Sequence, residues 1–171
     1  MSTTALGRIA SDLEEVAVPA NGGEWTMAWH PPGDAPTGLP HGAGAFCVTA
    51  DDEVVLISTD GSRWGWPGGR PEADETWEDT LRREMLEEAC ATVTEARMLG
   101  FIRSRCLSGH EKGRVLVRSI WRAQVTLLPW EPEYEIPFRL VVPAYDLAKH
   151  LWMEEGAEPM YSRAAREAGL A

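Results

Sequence analysis

Between Thr76 and Ala91 the apolar residues Trp77, Leu81, Met85 and Ala89 recur at every fourth position. That spacing predicts a helix with one buried stripe. Thr76 stands where an N-cap belongs, with Asp79 three residues on to complete a reciprocal cap. Glu84, Glu87 and Glu88 then fall at i, i+3 and i+4, so their carboxylates share neighbouring surface. Like charges this close repel unless a cation joins them, and carboxylate oxygens suit the hard ions Mg²⁺ and Mn²⁺. Arg83 and Glu75 are of opposite sign and can pair, fixing the helix to its incoming loop. Gly68-Gly69 precedes the helix and lets backbone groups approach a ligand closely. A glutamate-rich helix alone is most often a solvated face.

The segment Gly69 to Ala91 resembles the Nudix box, G-x5-E-x7-R-E-U-x-E-E-x-G-U, where U is aliphatic. Gly69, Glu75, Arg83, Glu84, Met85, Glu87, Glu88 and Ala91 fall on its fixed positions, and Cys90 stands where the pattern has glycine. The order of the flanking strands extends the resemblance to roughly residues 40–150. It implies an α/β fold, the Nudix α/β/α sandwich with a mixed β-sheet. It further implies hydrolysis of a diphosphate linkage in a nucleoside diphosphate derivative or triphosphate, with Mg²⁺ as cofactor and Mn²⁺ as a substitute. By position, Glu84, Glu87 and Glu88 are the expected metal ligands, with the carbonyl of Gly68 or Gly69 completing the shell. Glu84 and Glu87 also stand as candidate catalytic carboxylates, and Arg83 and Glu75 as orienting groups. In this family a glutamate in a loop after the central strands often serves as base. Glu131, Glu133 and Glu135 lie in such a loop between prolines, and Glu133, the central one, is preferred. The family's downstream markers for ADP-ribose or dinucleoside polyphosphate substrates, a proline or a tyrosine near residues 106–109, are both absent from Cys106-Leu107-Ser108-Gly109.

The rest of the chain alternates short strands with helical stretches, which predicts one α/β domain. Residues 1–40 read as an N-terminal extension packed on the domain: a helix carrying Leu6, Ile9, Leu13 and Val16, then a strand from Glu24 to His30 and a Pro/Gly-rich loop. Residues 41–155 read as the Nudix domain proper. Strands are expected at Ala43–Thr49, Glu53–Thr59, Arg97–Arg105, Arg114–Leu127 and Phe138–Val142, with a helix over Ala144–Glu154. Residues 156–171 form a tail with a weak helical pattern.

A net charge of −11 argues against non-specific nucleic-acid binding, which needs clustered Lys and Arg. It raises the question of which cation meets an acidic ligand. Arg103, Arg105, His110, Lys112 and Arg114 form a local basic patch, and Arg103 and Arg105 are candidate substrate-phosphate contacts, against an ordinary solvated hairpin. Trp64 and Trp66 flank the glycine loop. Structural packing is the more frequent role of such residues, and Trp66 is the candidate for stacking on a base. His30, His41 and His150 are isolated and read as structural. Three widely spaced cysteines, Cys47, Cys90 and Cys106, suggest reduced thiols in a cytoplasmic protein. No run approaches the roughly 18 apolar residues of a membrane span. The expected partner is a small nucleotide-like diphosphate, with no membrane; a homodimer is left open. The competing functions are a non-catalytic nucleotide-sensing module and a prenyl-diphosphate isomerase.

Overall fold

The computed structural model describes residues 7–132 and 136–170. Eight strands form one mixed sheet: β1 (Val16–Ala20), β2 (Gly23–His30), β3 (Leu39–Val48), β4 (Glu53–Ser58), β5 (Gly68–Gly69), β6 (Ala91–Cys106), β7 (Val115–Leu127) and β8 (Phe138–Pro143). Their order is β1-β2-β6-β7-β3-β4-β8, with β5 paired to β3. Among the described residues only strands β3 and β7 pair in parallel; the other strand pairs are antiparallel. Helix α1 (Trp77–Ala89) covers one face, and α2 (Leu147–His150) and α3 (Glu158–Glu167) cover the other.

Two-sided burial follows from strand alternation. In β3, Ala43, Ala45 and Cys47 join the cluster under α1 with Leu81, Met85 and Ala89, while Phe46 and Val48 join the opposite cluster with Met160 and Ala164 of α3. Val55 and Ile57 of β4 face α1, and Val54 and Leu56 face away. The small residues of β3 let α1 sit close over the sheet. Leu81 and Met85 are fully buried, and each such side chain contributes about 1.5–3 kcal/mol. The reciprocal cap forms as the sequence indicates: Thr76 Oγ1 accepts from the Asp79 amide at 3.1 Å and Asp79 Oδ2 from the Thr76 amide at 3.0 Å.

Several expected elements differ. No helix occupies 7–24; Leu6 lies outside the described residues. Leu13 is exposed with φ 62°, and Val16 and Val18 are buried in alternation with an exposed Ala17, a period of two and not 3.6. Pro19 is tolerated because β1 is an edge strand. The strand expected from Arg97 begins at Ala91, since the chain reverses at Cys90 and pairs at once with β7. The helix expected over Ala144–Glu154 reduces to a 3₁₀ turn, Ala144–Asp146, and the single turn of α2. Beyond it Leu151 extends to bridge Trp64, with the Trp152 amide donating to the Trp64 carbonyl at 2.8 Å. After Gly156 the weak pattern becomes α3, with Pro159 in its first turn and Met160, Ala164 and Ala165 buried. Arg122 donates to the Ala168 carbonyl at 2.6 Å, closing the end of α3 onto the sheet. Among the described residues no helix is long and apolar enough to cross a membrane.

Helix α1 ends at Cys90 in the left-handed conformation, φ 48° and ψ 51°. Glycine adopts this geometry freely, whereas a side chain there costs about 1–2 kcal/mol. Cys90 is buried, so part of that cost is returned by packing. We expect Cys90→Gly to remain active and to be no less stable, with a Tm raised by up to about 2–4 °C for a chain this long. A thermal melt checks this; a Tm several degrees below the parent would show that the buried thiol outweighs the backbone strain.

Candidate active site

The acidic helix, the Gly68-Gly69 strand and a cavity on the far side of β3 meet in one place. Strand β5 pairs with β3 through Ala43–Gly69 and Gly44–Gly68. Neither glycine has a positive φ; what requires glycine is close approach. A Cβ at Gly68 would lie 2.6 Å from the Ala43 carbonyl oxygen, and one at Gly69 would lie 2.2 Å from the Glu84 carboxyl group.

Arg83 organises the helix side. Its Nε and Nη2 donate to the two oxygens of Glu75 at 2.8 and 2.9 Å, and Nη2 also reaches the Arg70 carbonyl at 2.8 Å. Nη1 donates to Glu84 at 2.7 Å and to Glu87 at 3.1 Å. The guanidinium therefore holds the incoming loop and two of the box carboxylates, a positioning role with no donor left for chemistry. The Arg83 hydrogen bonds, helped by the Glu72 amide, hold Glu75 down to about 2.

Glu84 is buried, and burial raises its pKa despite Arg83. Glu88 is pushed up from 4.5 to about 7, first by burial and then by the charges of Glu84 and Glu87, against the lowering effect of the Gly68 amide. That amide donates to Glu88 Oε2 at 2.9 Å, so the glycine strand meets Glu88 through N–H, not through the carbonyl expected as a ligand. Among the described residues no three His, Cys, Asp or Glu side chains already converge into a metal cage: Glu84 and Glu87 turn to Arg83, and Glu88 to the backbone. The donors are nevertheless all hard oxygens, and Glu88 carries a charge the protein leaves under-compensated. On both counts the residues fit a divalent cation.

The cavity beside the glycines has a volume of about 360 Å³, at the small end of ligand pockets. Arg70, Arg118 and His41 line it with Gly68 and Gly69, and Met27, Ile102, Ile120, Trp66, Tyr161 and Glu154 form its other walls. Trp66 stacks on Tyr161 at 4.7 Å and meets Phe46 edge-on at 5.0 Å, so it packs and also presents a surface to the cavity. His41 is held down to about 4 by burial and by the charges of Arg118, Arg70 and Arg114.

Arg103 and Arg105 do not reach this cavity. On β6, strand alternation turns them away from Ile102, which does line it. Arg103 donates to the Thr37 carbonyl at 2.8 Å and Arg105 pairs with Glu15 at 2.8 Å. Glu133 and Glu135 lie outside the described residues. Glu131 is exposed and shares a second hollow with Glu87, Cys90 and Leu86, and Cys90 Sγ contacts its carbonyl at 3.4 Å. Cys90 is therefore next to the acidic face, not remote from it. The sequence reading missed Arg70, Arg118, Tyr161 and Glu154, and read His41 as structural. Arg118 carried a usable signal: a lone charge inside the apolar strand V-L-V-R-S-I-W.

A three-layer sandwich with a capped acidic helix abutting a glycine strand defines a family as well as a fold. A model of the NUDIX domain matches residues 38–163, and the chain belongs to the Nudix family. Among solved structures it is similar to a mutant of the Bacillus subtilis pyrophosphohydrolase BsRppH, with TM-score 0.65 and 18% identity over 85% of this chain and 92% of that one. It is also similar to a Nudix hydrolase from Nitrosomonas europaea, with TM-score 0.58 and 19% identity over 77% and 90%. The Nudix domain of Shewanella oneidensis NrtR, solved with ADP-ribose, matches with TM-score 0.50 and 18% identity over 74% and 85%. At these identities the likeness is one of fold. No curated protein matches the sequence significantly.

Proposed function

We propose that this Nudix pyrophosphohydrolase cleaves a diphosphate linkage in a small nucleotide-like molecule in the cytoplasm, with Mg²⁺ or Mn²⁺ held by Glu84, Glu87 and Glu88. The observation that carries the reading is Glu88: half-buried, crowded by two further carboxylates, and hydrogen-bonded by one amide 2.9 Å away. Glu84, Glu87 and Glu88 would hold the divalent ion, which when bound would supply Lewis-acid polarisation of the phosphate oxygens. Arg83 keeps Glu84 and Glu87 in register with the glycine strand. The cavity receives the rest of the molecule, with Trp66 offering an aromatic surface. Incubation with a nucleotide panel should give hydrolysis that excess EDTA abolishes and Mg²⁺ or Mn²⁺ restores. Turnover undiminished in EDTA would end the reading.

Glu133 is proposed as the base; in the sequence it stands between Pro132 and Pro137, downstream of the strand that ends at Leu127. Glu133→Gln is expected to lower kcat with KM and metal affinity little changed, because a base acts in the transition state. Steady-state kinetics of Gln variants at 131, 133 and 135 decide the point: three parental turnovers would return the role to Glu84 or Glu87.

A further inference from the structure

Arg118 is a charged side chain that the protein itself leaves unanswered. It sits in β7 opposite Gly42 of β3, and its stem passes alongside Gly42: a Cβ there would meet Arg118 Cγ at 3.5 Å and the Gly69 carbonyl at 3.4 Å, in ordinary contact. The arginine therefore leaves the sheet beside the glycine strand and ends in the cavity wall. Among the described residues its guanidinium makes no hydrogen bond and no ion pair, and burial lowers its pKa. Glu154 and Tyr161 attract it only from a distance, and Glu154 instead accepts from the Tyr161 hydroxyl at 3.3 Å. Arg70 repels it across the same cavity. Two arginines facing one small space mirror the carboxylates on the other side of the glycines: they repel unless an anion joins them. Arginine's planar fork of donors matches a phosphate's oxygens, and this half-buried fork has no acceptor of the protein's own among the described residues.

We propose that Arg118, with Arg70 beside it, binds a phosphate oxyanion of the substrate on the cavity side of the scissile bond and selects phosphorylated ligands over neutral ones. The location of the scissile bond rests on the hydrolase reading above; the anion site itself does not. Both arginines line the cavity together with Gly68 and Gly69, whose strand abuts the acidic helix. His41, kept neutral by burial and then by the same arginines, is left to hydrogen-bond, not to add a third charge.

The test is calorimetric titration of inorganic pyrophosphate into the full chain in EDTA, where no cation on the acidic helix can recruit the anion. The parent should bind, and Arg118→Met should weaken binding at least about tenfold, or about 1.4 kcal/mol. Arg118→Lys should fall between them, and it decides the matter if the Met variant melts early. Arg105→Met removes the same charge from the far face of β6 and should bind as the parent does. The proposal is overturned if the parent does not bind, if Arg118→Met binds like the parent, or if Arg105→Met weakens binding equally. Kinetics separate it from the hydrolase reading. Arg118-dependent binding with no metal-dependent turnover on any nucleotide sinks hydrolysis and leaves the anion site. Turnover by Arg118→Met at the parental KM sinks the anion site and leaves hydrolysis.

Discussion

Glu88→Gln is expected to fold as the parent does and to lose at least about a hundredfold in kcat, or about 2.7 kcal/mol of transition-state stabilisation. Glutamine keeps an oxygen that can accept from the Gly68 amide, so the 2.9 Å link between helix and glycine strand survives. What disappears is the charge. The same substitution has a signature in the metal-free protein. Glu88 is raised from 4.5 to about 7 in the folded state, so between those values this carboxylate binds more protons in the folded protein than in the unfolded chain, while His41, held down to about 4, does the opposite below its ordinary 6.5. By linkage, the Glu88 contribution to stability falls as pH rises through that window and levels off above it, and the His41 contribution rises. Melts in EDTA from pH 4.5 to 8 isolate the Glu88 part as a difference: the stability of the parent relative to Glu88→Gln should fall across the window. Near-parental turnover at saturating Mg²⁺ would mean that the acidic helix is not the metal site. An unchanged pH profile of stability would mean that Glu88 is not the strained carboxylate.

The helix and the placement of its charged side chains were legible because their determinants are local. Thr76 and Asp79 cap over one turn, Leu81 and Met85 mark the buried stripe, and Arg83 sits one turn from its partner Glu87. The cavity was not legible, because it is assembled from strands far apart in the chain. Gly42 and Arg118 become neighbours only through the parallel pairing of β3 with β7, and no local pattern specifies register between strands separated by more than 70 residues. Arg103 and Arg105 were misplaced for a related reason: a basic cluster in sequence alternates between two faces once it becomes a strand. Tyr161 came from a stretch whose helical signal was weak, because α3 buries chiefly small residues, Ala164 and Ala165, whose periodicity barely registers, and Glu154 stood at the end of an expected helix that breaks at Leu151. The αL end at Cys90 lay between. The family pattern marked the position, but only the dihedrals show that cysteine has accepted the glycine conformation.

Gly68→Ala and Gly69→Ala should fail in different ways, although the residues are adjacent in one strand and neither has a positive φ. At Gly69 the added methyl would lie 2.2 Å from the Glu84 carboxyl group. That group is the far end of a rotatable side chain, so the fold can yield by swinging Glu84 aside. Doing so breaks its 2.7 Å contact with Arg83 and removes a carboxylate from the acidic face. The expected result is a Tm close to the parent's, with metal affinity or turnover reduced on the order of 10- to 100-fold. At Gly68 the methyl would lie 2.6 Å from the Ala43 carbonyl oxygen and 2.8 Å from Gly44 Cα. Both are backbone atoms of β3, pinned between β7 and β5, and no rotamer change relieves them. The strand must shift, at a cost of about 1–3 kcal/mol, and a fall in Tm of about 2–4 °C per kcal/mol follows. The Gly68 amide would move away from Glu88 with it, so activity falls as well, but only in company with stability. Thermal melts and Mg²⁺ titrations of turnover on the two variants separate the cases. A Gly69→Ala protein with parental metal dependence and rate would show that Glu84 has room to spare, and a Gly68→Ala protein melting with the parent would show that β5 is not held against β3 as tightly as the geometry requires.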